Sequence, residues 1–251
     1  MDRLEASAIA LPGIEVRVLE RCTSTNELAL AAGKPDVLLA AEQQTAGRGR
    51  RGRRWHAAPG TAVTFSLARL VRRPPRELPG LALVAGVGAA RALRALGTER
   101  TTLKWPNDLV IDGAKLGGIL VETRSHGTAT LAVIGIGINC RRDPALERRL
   151  RRPIAWLESY AEVKRNQVIA AVAASVIEAL AQFEARGLEA LRAEWERLDA
   201  HAGERLRLRL ADGRVLTGVA RGLDDDGALR LQTARGLRAV RSARVVRARP
   251  A

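Results

Sequence analysis

The first 140 residues have a hydrophobic pattern typical of strands with a few helices between them. Alternating or short continuous apolar runs predict strands at 14–19, 37–41, 61–68, 101–105, 109–111, 119–122 and 128–138. Ser24 or Thr25 is placed to cap a helix that runs through Leu30 and ends at Gly33. Small apolar residues at helical spacing predict a second helix over 81–96.

The pattern changes twice in the second half of the chain. Apolar residues at helical spacing predict one helix over 168–183 and another over 188–198. From residue 205 onward, leucines alternate with arginines at a period of two, and aspartate-glycine turns separate further short strands. We therefore predict an α+β domain over residues 1–200 and a small β-barrel domain over residues 201–251.

Three segments are predicted to be irregular. Residues 43–60, here called the arginine–glycine loop, contain four glycines, five arginines and no acid. Residues 70–79 hold three prolines and are interpreted as a surface connection. Residues 141–152 carry six arginines against two acids and are interpreted as a solvated loop. The pair Asp112-Gly113, between two predicted strands, is typical of a hairpin turn.

Composition excludes several classes of protein. A hydrophobic fraction of 47% in 251 residues is enough for a buried core, so global disorder is excluded. Two cysteines and three scattered histidines provide neither a disulfide framework nor a zinc motif. The longest apolar runs are shorter than the roughly 18–20 residues of a membrane span, and the N-terminus lacks a signal-peptide pattern. We expect a cytoplasmic protein without a membrane partner.

The charge leaves a nucleic-acid partner open. The formal net charge is +15, and all but four of the 42 basic residues are arginine. Two of the four lysines are Lys104 and Lys115. Because arginine is used almost everywhere else, these lysines hint at a need for a titratable ammonium group.

The arginine–glycine loop allows three interpretations. Gly47 to Gly52 matches the letters of a dinucleotide-binding motif, but a strand follows where that motif requires a helix, so this match is rejected. Glycines permit close backbone approach, and guanidinium groups bind phosphate or carboxylate oxygens. The loop is therefore a lid over a bound anion, a nucleic-acid-binding arm, or an idle solvated loop.

Three further segments place polar groups at strand ends. In Lys104-Trp105-Pro106-Asn107-Asp108, a strand is followed by an amide suited to phosphate or ribose oxygens and a carboxylate suited to Mg²⁺ or a proton. The alternative is a turn whose Asn and Asp bond their own backbone. Residues 115–120 open with a lysine and contain Gly117-Gly118, and residues 135–139 combine two glycines with a terminal asparagine. Each of these two could also reflect a bulge or close packing alone.

Taken in order, these segments resemble the biotin–protein ligase family, also called biotin–acetyl-CoA-carboxylase ligases. The resemblance rests on Thr23 to Asn26, Gln44 to Trp55, Lys104 to Asp108, Lys115 to Leu120 and Gly135 to Asn139. It covers about residues 14–250. Only about 13 residues precede the first predicted strand, too few for the DNA-binding domain of about 60 residues that some members carry. We expect a ligase without specific operator binding.

The resemblance implies a class II synthetase-like catalytic domain, with a mixed sheet and helices on one face, followed by an SH3-like barrel. It implies that biotin and ATP form biotinyl-5′-AMP and pyrophosphate with Mg²⁺. The biotinyl group then passes to one lysine of a biotin carboxyl carrier domain of acetyl-CoA carboxylase or a related carboxylase. The chain would act as a monomer or a homodimer.

The resemblance also assigns site residues. Biotin would be held, chiefly at its ureido ring, by Ser24, Thr25, Asn26 and Gln44. The loop closing over biotin and the adenylate would include Arg48, Gly49 and Arg50. Contacts to ATP or its adenine would come from Arg51, Arg53, Trp55, Asn107, Gly137 and Asn139. Gly118 would lie against biotin, where it and Gly137 keep the pocket floor flat, and Lys115 would contact the biotin carboxylate and the α-phosphate. The catalytic groups would be Lys115, Arg50 and Asp108, with Mg²⁺ near Asn107 and Asp108 rather than in a protein-only metal site.

Two alternatives and one surface stay open. A lipoate–protein ligase resembles this fold and chemistry, and a basic nucleic-acid-binding protein would explain the charge. The low aromatic content of 3% argues against a nucleic-acid-binding protein, because few side chains are available for base stacking. The arginines of 141–152, or the basic barrel, are expected to help dock an acidic carrier domain.

Overall fold

The structure, a computed structural model, describes residues 2–150 and 152–250. Its larger sheet has seven strands in the order β1-β2-β3-β7-β6-β5-β4. The strands are β1 Glu15–Cys22, β2 Val37–Gln44, β3 Ala62–Val71, β4 Thr101–Lys104, β5 Asp108–Ile111, β6 Ala114–His126 and β7 Ala129–Asn139. Only β1 and β2 pair in parallel, so the sheet is mixed, as predicted.

Helices cover this sheet unequally. They are α1 Thr25–Ala32, α2 Leu81–Ala95, α3 Pro144–Leu150, α4 Arg165–Arg186 and α5 Glu189–Leu198. Side chains of β2 alternate between two apolar clusters: Leu38 and Ala40 belong to the large core with α2, α4 and α5, whereas Leu39 packs with Ala29 of α1. The three long helices therefore share one face, as predicted, and the short helix α1 lies on the opposite face.

The ends of α1 follow its sequence. Ser24 is the N-cap residue and its hydroxyl accepts a hydrogen bond from the Glu27 amide at 3.5 Å. Gly33 ends the helix with φ at 66°, the left-handed conformation that glycine adopts without steric cost. The prediction for this helix is confirmed, and the cap holds Thr25 and Asn26 in its first turn.

The C-terminal unit (residues 205–249) is a five-stranded antiparallel sheet in the order β11-β10-β9-β8-β12. Its strands are β8 Arg205–Arg209, β9 Val215–Leu223, β10 Leu229–Thr233, β11 Gly236–Val240 and β12 Arg244–Arg249. The buried Trp105 indole donates a hydrogen bond to the Gly227 carbonyl at 3.2 Å, and Gly227 also packs against Leu83 of α2. This unit is therefore held directly against the strand end that carries Asn107 and Asp108.

Two sequence interpretations are corrected. Residues 141–152 are not a solvated loop throughout, because they contain α3, whose Leu146 is buried and whose Leu150 lines a cavity. The apolar segments are also longer than predicted: Leu78–Ala95 and Arg165–Arg186 are long and apolar enough to cross a membrane by length and composition alone. Both contribute to the interior, with 67% and 44% of their apolar windows buried.

Two glycines of α2 provide a matched test of packing against α4. A Cβ at Gly88 would lie 2.8 Å from Ser175 O and Val176 Cα, whereas one at Gly86 would meet Leu103 Cδ2 at 3.4 Å, an ordinary contact. We expect Gly88→Ala to lower the free energy of unfolding by about 1–3 kcal/mol through overpacking. Gly86→Ala should leave it unchanged or raise it by up to about 1 kcal/mol, since alanine favours helix. Urea denaturation measures both, and equal effects would contradict this account of the α2–α4 contact.

Candidate active site

A cavity of about 360 Å³ lies on the α1 side of the larger sheet. Of the sequence-predicted site residues, the cavity brings together Ser24, Thr25, Asn26, Gln44, Arg48, Gly49, Arg50, Arg53, Trp55, Asn107, Asp108, Lys115, Gly118 and Gly137. Arg51 and Asn139 do not line it. Residues from α1, β2, the arginine–glycine loop, β5, β6 and β7 therefore converge on one space.

One part of the cavity, here called the neutral pocket, is lined by the uncharged side chains of Ser24, Thr25, Asn26 and Gln44, which Ser66 and Glu122 orient from outside the lining. The buried Ser66 hydroxyl donates to Asn26 Oδ1 at 2.6 Å and lies 2.7 Å from Thr25 Oγ1. Gln44 Oε1 accepts from the Thr25 backbone amide at 2.8 Å. Asn26 Nδ2 donates to Glu122 Oε2 at 3.0 Å. These contacts fix the orientation of each amide and hydroxyl group before any ligand enters.

Ser66 and Glu122 were missed by the sequence reasoning. Ser66 lies two positions after Thr64 in the mostly apolar β3, and both are buried. Two polar residues at the strand period on one face were the available signal for Ser66. Glu122 follows an apolar run in β6, and only the pairing of β6 with β7 brings it near α1.

Glycines of β6 and β7 form the floor of the cavity. A Cβ at Gly137 would lie 2.6 Å from the Trp55 indole, one at Gly118 would lie 3.1 Å from Lys115 Nζ, and one at Gly135 would overlap the Asn26 amide. Gly118 and Gly137 are also direct register partners. Three side chains from separate segments thus lie directly against the backbone of two adjacent strands.

Trp55 carries an unsatisfied polar atom. Its indole Nε1 is buried and has no hydrogen-bond partner among the described residues. A buried donor without an acceptor costs free energy, typically about 1–3 kcal/mol. An acceptor on a bound ligand is one way in which this donor can be satisfied.

The middle of the cavity holds an ion pair between Lys115 Nζ and Asp108 Oδ1. Burial lowers the pKa of Lys115, and the nearby Arg152 and Arg53 lower it further, while Asp108 opposes the shift. Arg50 Nη1 donates to Asn107 Oδ1 at 3.4 Å. Burial and the adjacent Arg51 and Arg53 lower the pKa of Arg50.

The arginine–glycine loop is a folded ribbon in this structure. Its two sides are joined by hydrogen bonds from Gly49 N to Arg53 O at 2.7 Å and from Trp55 N to Gly47 O at 2.9 Å. Arg51 has φ at 58° and donates to Ser242 Oγ of the C-terminal unit at 2.9 Å. Arg50 also donates to Ser242 Oγ, at 3.2 Å, but unlike Arg51 it lines the cavity.

Asn139 lies behind Lys115 rather than in the cavity wall. Its amide donates to Lys115 O at 3.1 Å and to Ala155 O at 3.4 Å. It borders a separate small pocket of about 30 Å³ that also touches Trp55. In this arrangement Asn139 positions the backbone that carries Lys115.

Positive charge dominates the lining. Asp108 is the only acid in the lining among the described residues. The lining also contains seven cationic residues: Arg48, Arg50, Arg53, Arg54, Lys115, Arg152 and Arg244. His56 also lines the cavity, and burial together with Arg149 and Arg54 lowers its pKa. Arg152 and Arg244 were missed, because the sequence does not reveal which members of an arginine cluster turn inward. Such a lining suits a ligand with several negative charges.

Known proteins match the chain over most of its length. Residues 18–139 match the model of the Biotin/lipoate A/B protein ligase family, and residues 201–247 match the Biotin protein ligase C terminal domain. The chain is 36% identical to the bifunctional ligase/repressor BirA of Escherichia coli, covering 88% of this chain and 70% of that protein. It is 32% identical to the biotin–[acetyl-CoA-carboxylase] ligase of Paracoccus denitrificans, covering 91% and 98% respectively.

A solved structure agrees with these relatives. The biotin protein ligase of Aquifex aeolicus in complex with biotin and ATP superposes with a TM-score of 0.79 at 27% identity, covering 94% of this chain and 99% of that one. The similarity includes the C-terminal unit as well as the larger sheet, and the reported relatives are biotin rather than lipoate ligases. The chain therefore belongs to the biotin protein ligase family of ATP-dependent ligases.

Proposed function

We propose that this chain activates biotin with ATP and transfers the biotinyl group to a lysine of a biotin carboxyl carrier domain. The observation that carries the proposal is a single cavity that combines uncharged hydrogen-bonding side chains with seven cationic residues. Biotin has a neutral ureido ring at one end and a carboxylate at the other. That polarity matches the cavity, with ATP phosphates occupying the cationic region.

In the neutral pocket, Ser24, Thr25, Asn26 and Gln44 hold the ureido ring. The existing hydrogen bonds of Asn26 and Gln44 support this role, because a preorganised polar pocket loses little entropy on binding. Gly118 and Gly137 leave the floor open for the rest of the ligand. Arg48, Gly49 and Arg50 cover it from the arginine–glycine loop.

In the first step, a biotin carboxylate oxygen attacks the α-phosphorus of ATP, and pyrophosphate leaves. Two anions must meet, so positive charge at the point of contact is the main requirement. Lys115 and Arg50 supply it at the cavity centre, and Arg53 faces the leaving pyrophosphate. Arg51 joins them only if its contact with Ser242 is released. Trp55 and the neighbouring Asn139 pocket provide the adenine site.

Mg²⁺ fits this site as a companion of the phosphates. Within residues 2–150 and 152–250, no three His, Cys, Asp or Glu side chains converge as metal ligands. The available donors are Asn107 Oδ1 and the Asp108 carboxylate, which suit an ion that keeps several waters and binds mainly to phosphate. When bound, Mg²⁺ neutralises phosphate charge.

In the second step, a neutral lysine amine of the carrier attacks the biotinyl carbonyl, and AMP leaves. We assign to Asp108 the role of orienting this amine or accepting its proton, because its carboxylate lines the same cavity as Lys115. The family supports a carrier domain as the acceptor in general terms, and acetyl-CoA carboxylase or a related carboxylase is the proposed source. The cytoplasmic location stays a prediction.

Calorimetry tests the first step. We expect biotin to bind, and biotin with Mg·ATP to release pyrophosphate, while lipoate gives no heat of binding. The neutral pocket matches a ureido group, which lipoate lacks. Binding of lipoate instead of biotin would assign the chain to lipoate ligation. The absence of measurable binding for both ligands would refute the proposal.

Asp108→Asn tests the ion pair and the second step. Removing the carboxylate lowers the pKa of Lys115 further, so the alkaline fall in adenylation rate should move to lower pH. Transfer from preformed biotinyl-AMP should slow by about 10²–10⁴-fold if Asp108 handles the amine proton. Asp36→Asn is the control, since Asp36 pairs with Arg69 away from the cavity. A full transfer rate in Asp108→Asn would exclude the role in proton transfer.

Gly137→Ala tests the adenine site. The added methyl group displaces the Trp55 indole, so we expect ATP affinity in the presence of biotin to fall about tenfold. Biotin binding alone should change little, because the neutral pocket lies elsewhere in the cavity. Gly86→Ala is the control with the same chemical change in α2. Unchanged ATP affinity, measured by calorimetry, would remove Trp55 from the adenine site.

A further inference from the structure

Two strands of the C-terminal unit carry arginines directly opposite each other. Strand β8 exposes every second side chain and buries the leucines between them. Its register with β12 places three pairs of arginine positions opposite each other along the two backbones, namely Arg205–Arg249, Arg207–Arg247 and Arg209–Arg244. These six positions are here called the arginine ladder.

Nothing in the described part of the chain neutralises the ladder. No salt bridge involves its described side chains, those of Arg205, Arg207, Arg209, Arg244 and Arg249. The acids of this unit are engaged elsewhere: Asp212 with Arg214, Asp226 with Arg241, and Asp225 with Arg192. Like charges directly opposite each other destabilise a strand pair. The ladder therefore lowers the stability of this strand pair, and a binding partner can offset that loss.

The ladder is continuous with the candidate active site. Arg244 belongs to the ladder and also lines the cavity. From its partner Arg209, the ladder extends along β8 to Arg205, four residues or about 14 Å away. A partner bound along the ladder is thus held next to the cavity opening.

We propose that the arginine ladder docks the acceptor protein through an acidic surface and presents its lysine to the cavity. The inference rests on the proposed function, which requires a protein lysine to reach the acyl-adenylate. Carboxylates are the complementary groups for exposed guanidiniums. A nucleic-acid partner is less well matched, because residues 201–251 contain no Phe, Trp or Tyr on which bases could stack. The arginines of α3 are less suited, because Arg149 lies near His56 of the arginine–glycine loop, whereas β8 offers three exposed guanidiniums in a row.

The test is charge reversal at the end of the ladder far from the cavity. In the full chain, Arg205→Glu/Arg207→Glu should raise the KM for the apo biotin carboxyl carrier domain of an acetyl-CoA carboxylase by about tenfold or more at low salt. The kcat for transfer should stay within about twofold, since a remote contact binds ground state and transition state alike. The KM difference should shrink between about 50 and 500 mM salt, because exposed charges are screened. Calorimetry with the same carrier domain, without biotin or ATP, should show the same loss of binding.

The variant is also expected to fold. Glutamate at position 205 lies opposite Arg249, so an opposite-charge pair replaces a like-charge pair. The Tm of the variant should therefore be no lower than that of the native chain. The matched control is Arg186→Glu/Arg197→Glu, an equal charge change at exposed positions of α4 and α5, which cover the other face of the larger sheet. It should leave the KM unchanged.

The remaining outcomes overturn the inference. An unchanged KM and unchanged carrier binding would show that the ladder does not dock the acceptor. Loss of duplex DNA retention on the same variant, with carrier binding intact, would assign the ladder to nucleic acid. A raised KM in Arg148→Glu/Arg149→Glu alone would move docking to α3. Failure of the proposed function is seen separately, as absence of pyrophosphate release by the native chain with biotin and ATP.

Discussion

The close approach of side chains to the backbone of β6 and β7 is the constraint on which the site depends. Trp55, Lys115 and Asn26 come from three segments far apart in the chain, and each lies where a glycine leaves room. Any larger residue at Gly135 or Gly137 would displace a group that contacts the ligand region. The opposite face of the same strands is packed with apolar residues against α2 and α4. The sheet thus serves as a rigid floor on one side and as core on the other.

The second constraint is electrostatic. Seven cations surround a cavity that contains one acid among its described lining residues. Their mutual repulsion is reduced where Lys115 meets Asp108 and Arg48 meets Glu122. Arg50, Arg53 and Arg152 form no salt bridge with a described residue, so their mutual repulsion is not offset by an ion pair. The negative charges of a bound polyanion would offset this repulsion, which favours binding of a ligand such as a nucleotide.

Sequence reasoning predicted what local chemistry determines. The helix capped by Ser24 and the order of strands and helices along the chain follow from capping residues and apolar periods. The 14 predicted site residues that line the cavity were assigned by the resemblance to the biotin–protein ligase family. Sequence reasoning failed where the outcome depends on contacts between distant segments. Ser66 orients the polar pocket through its contacts with Thr25 and Asn26 of α1, and Arg152, which follows α3, lines the cavity beside residues far from it in the chain. The sequence of an arginine cluster does not show whether its members face solvent or a cavity.

The arginines of the chain therefore differ in their surroundings and in their roles. Many arginines form ordinary surface pairs with neighbouring acids, such as Arg17 with Glu15 and Arg214 with Asp212. Those of the cavity and the ladder have few acidic neighbours. A compositional bias toward arginine supplies positive charge at random positions, but it does not by itself keep acids away from a contiguous strip. The described cavity lining contains one acid, Asp108, and strands β8 and β12 contain none, in a chain with 27 acidic residues. This scarcity of acids separates binding surface from background.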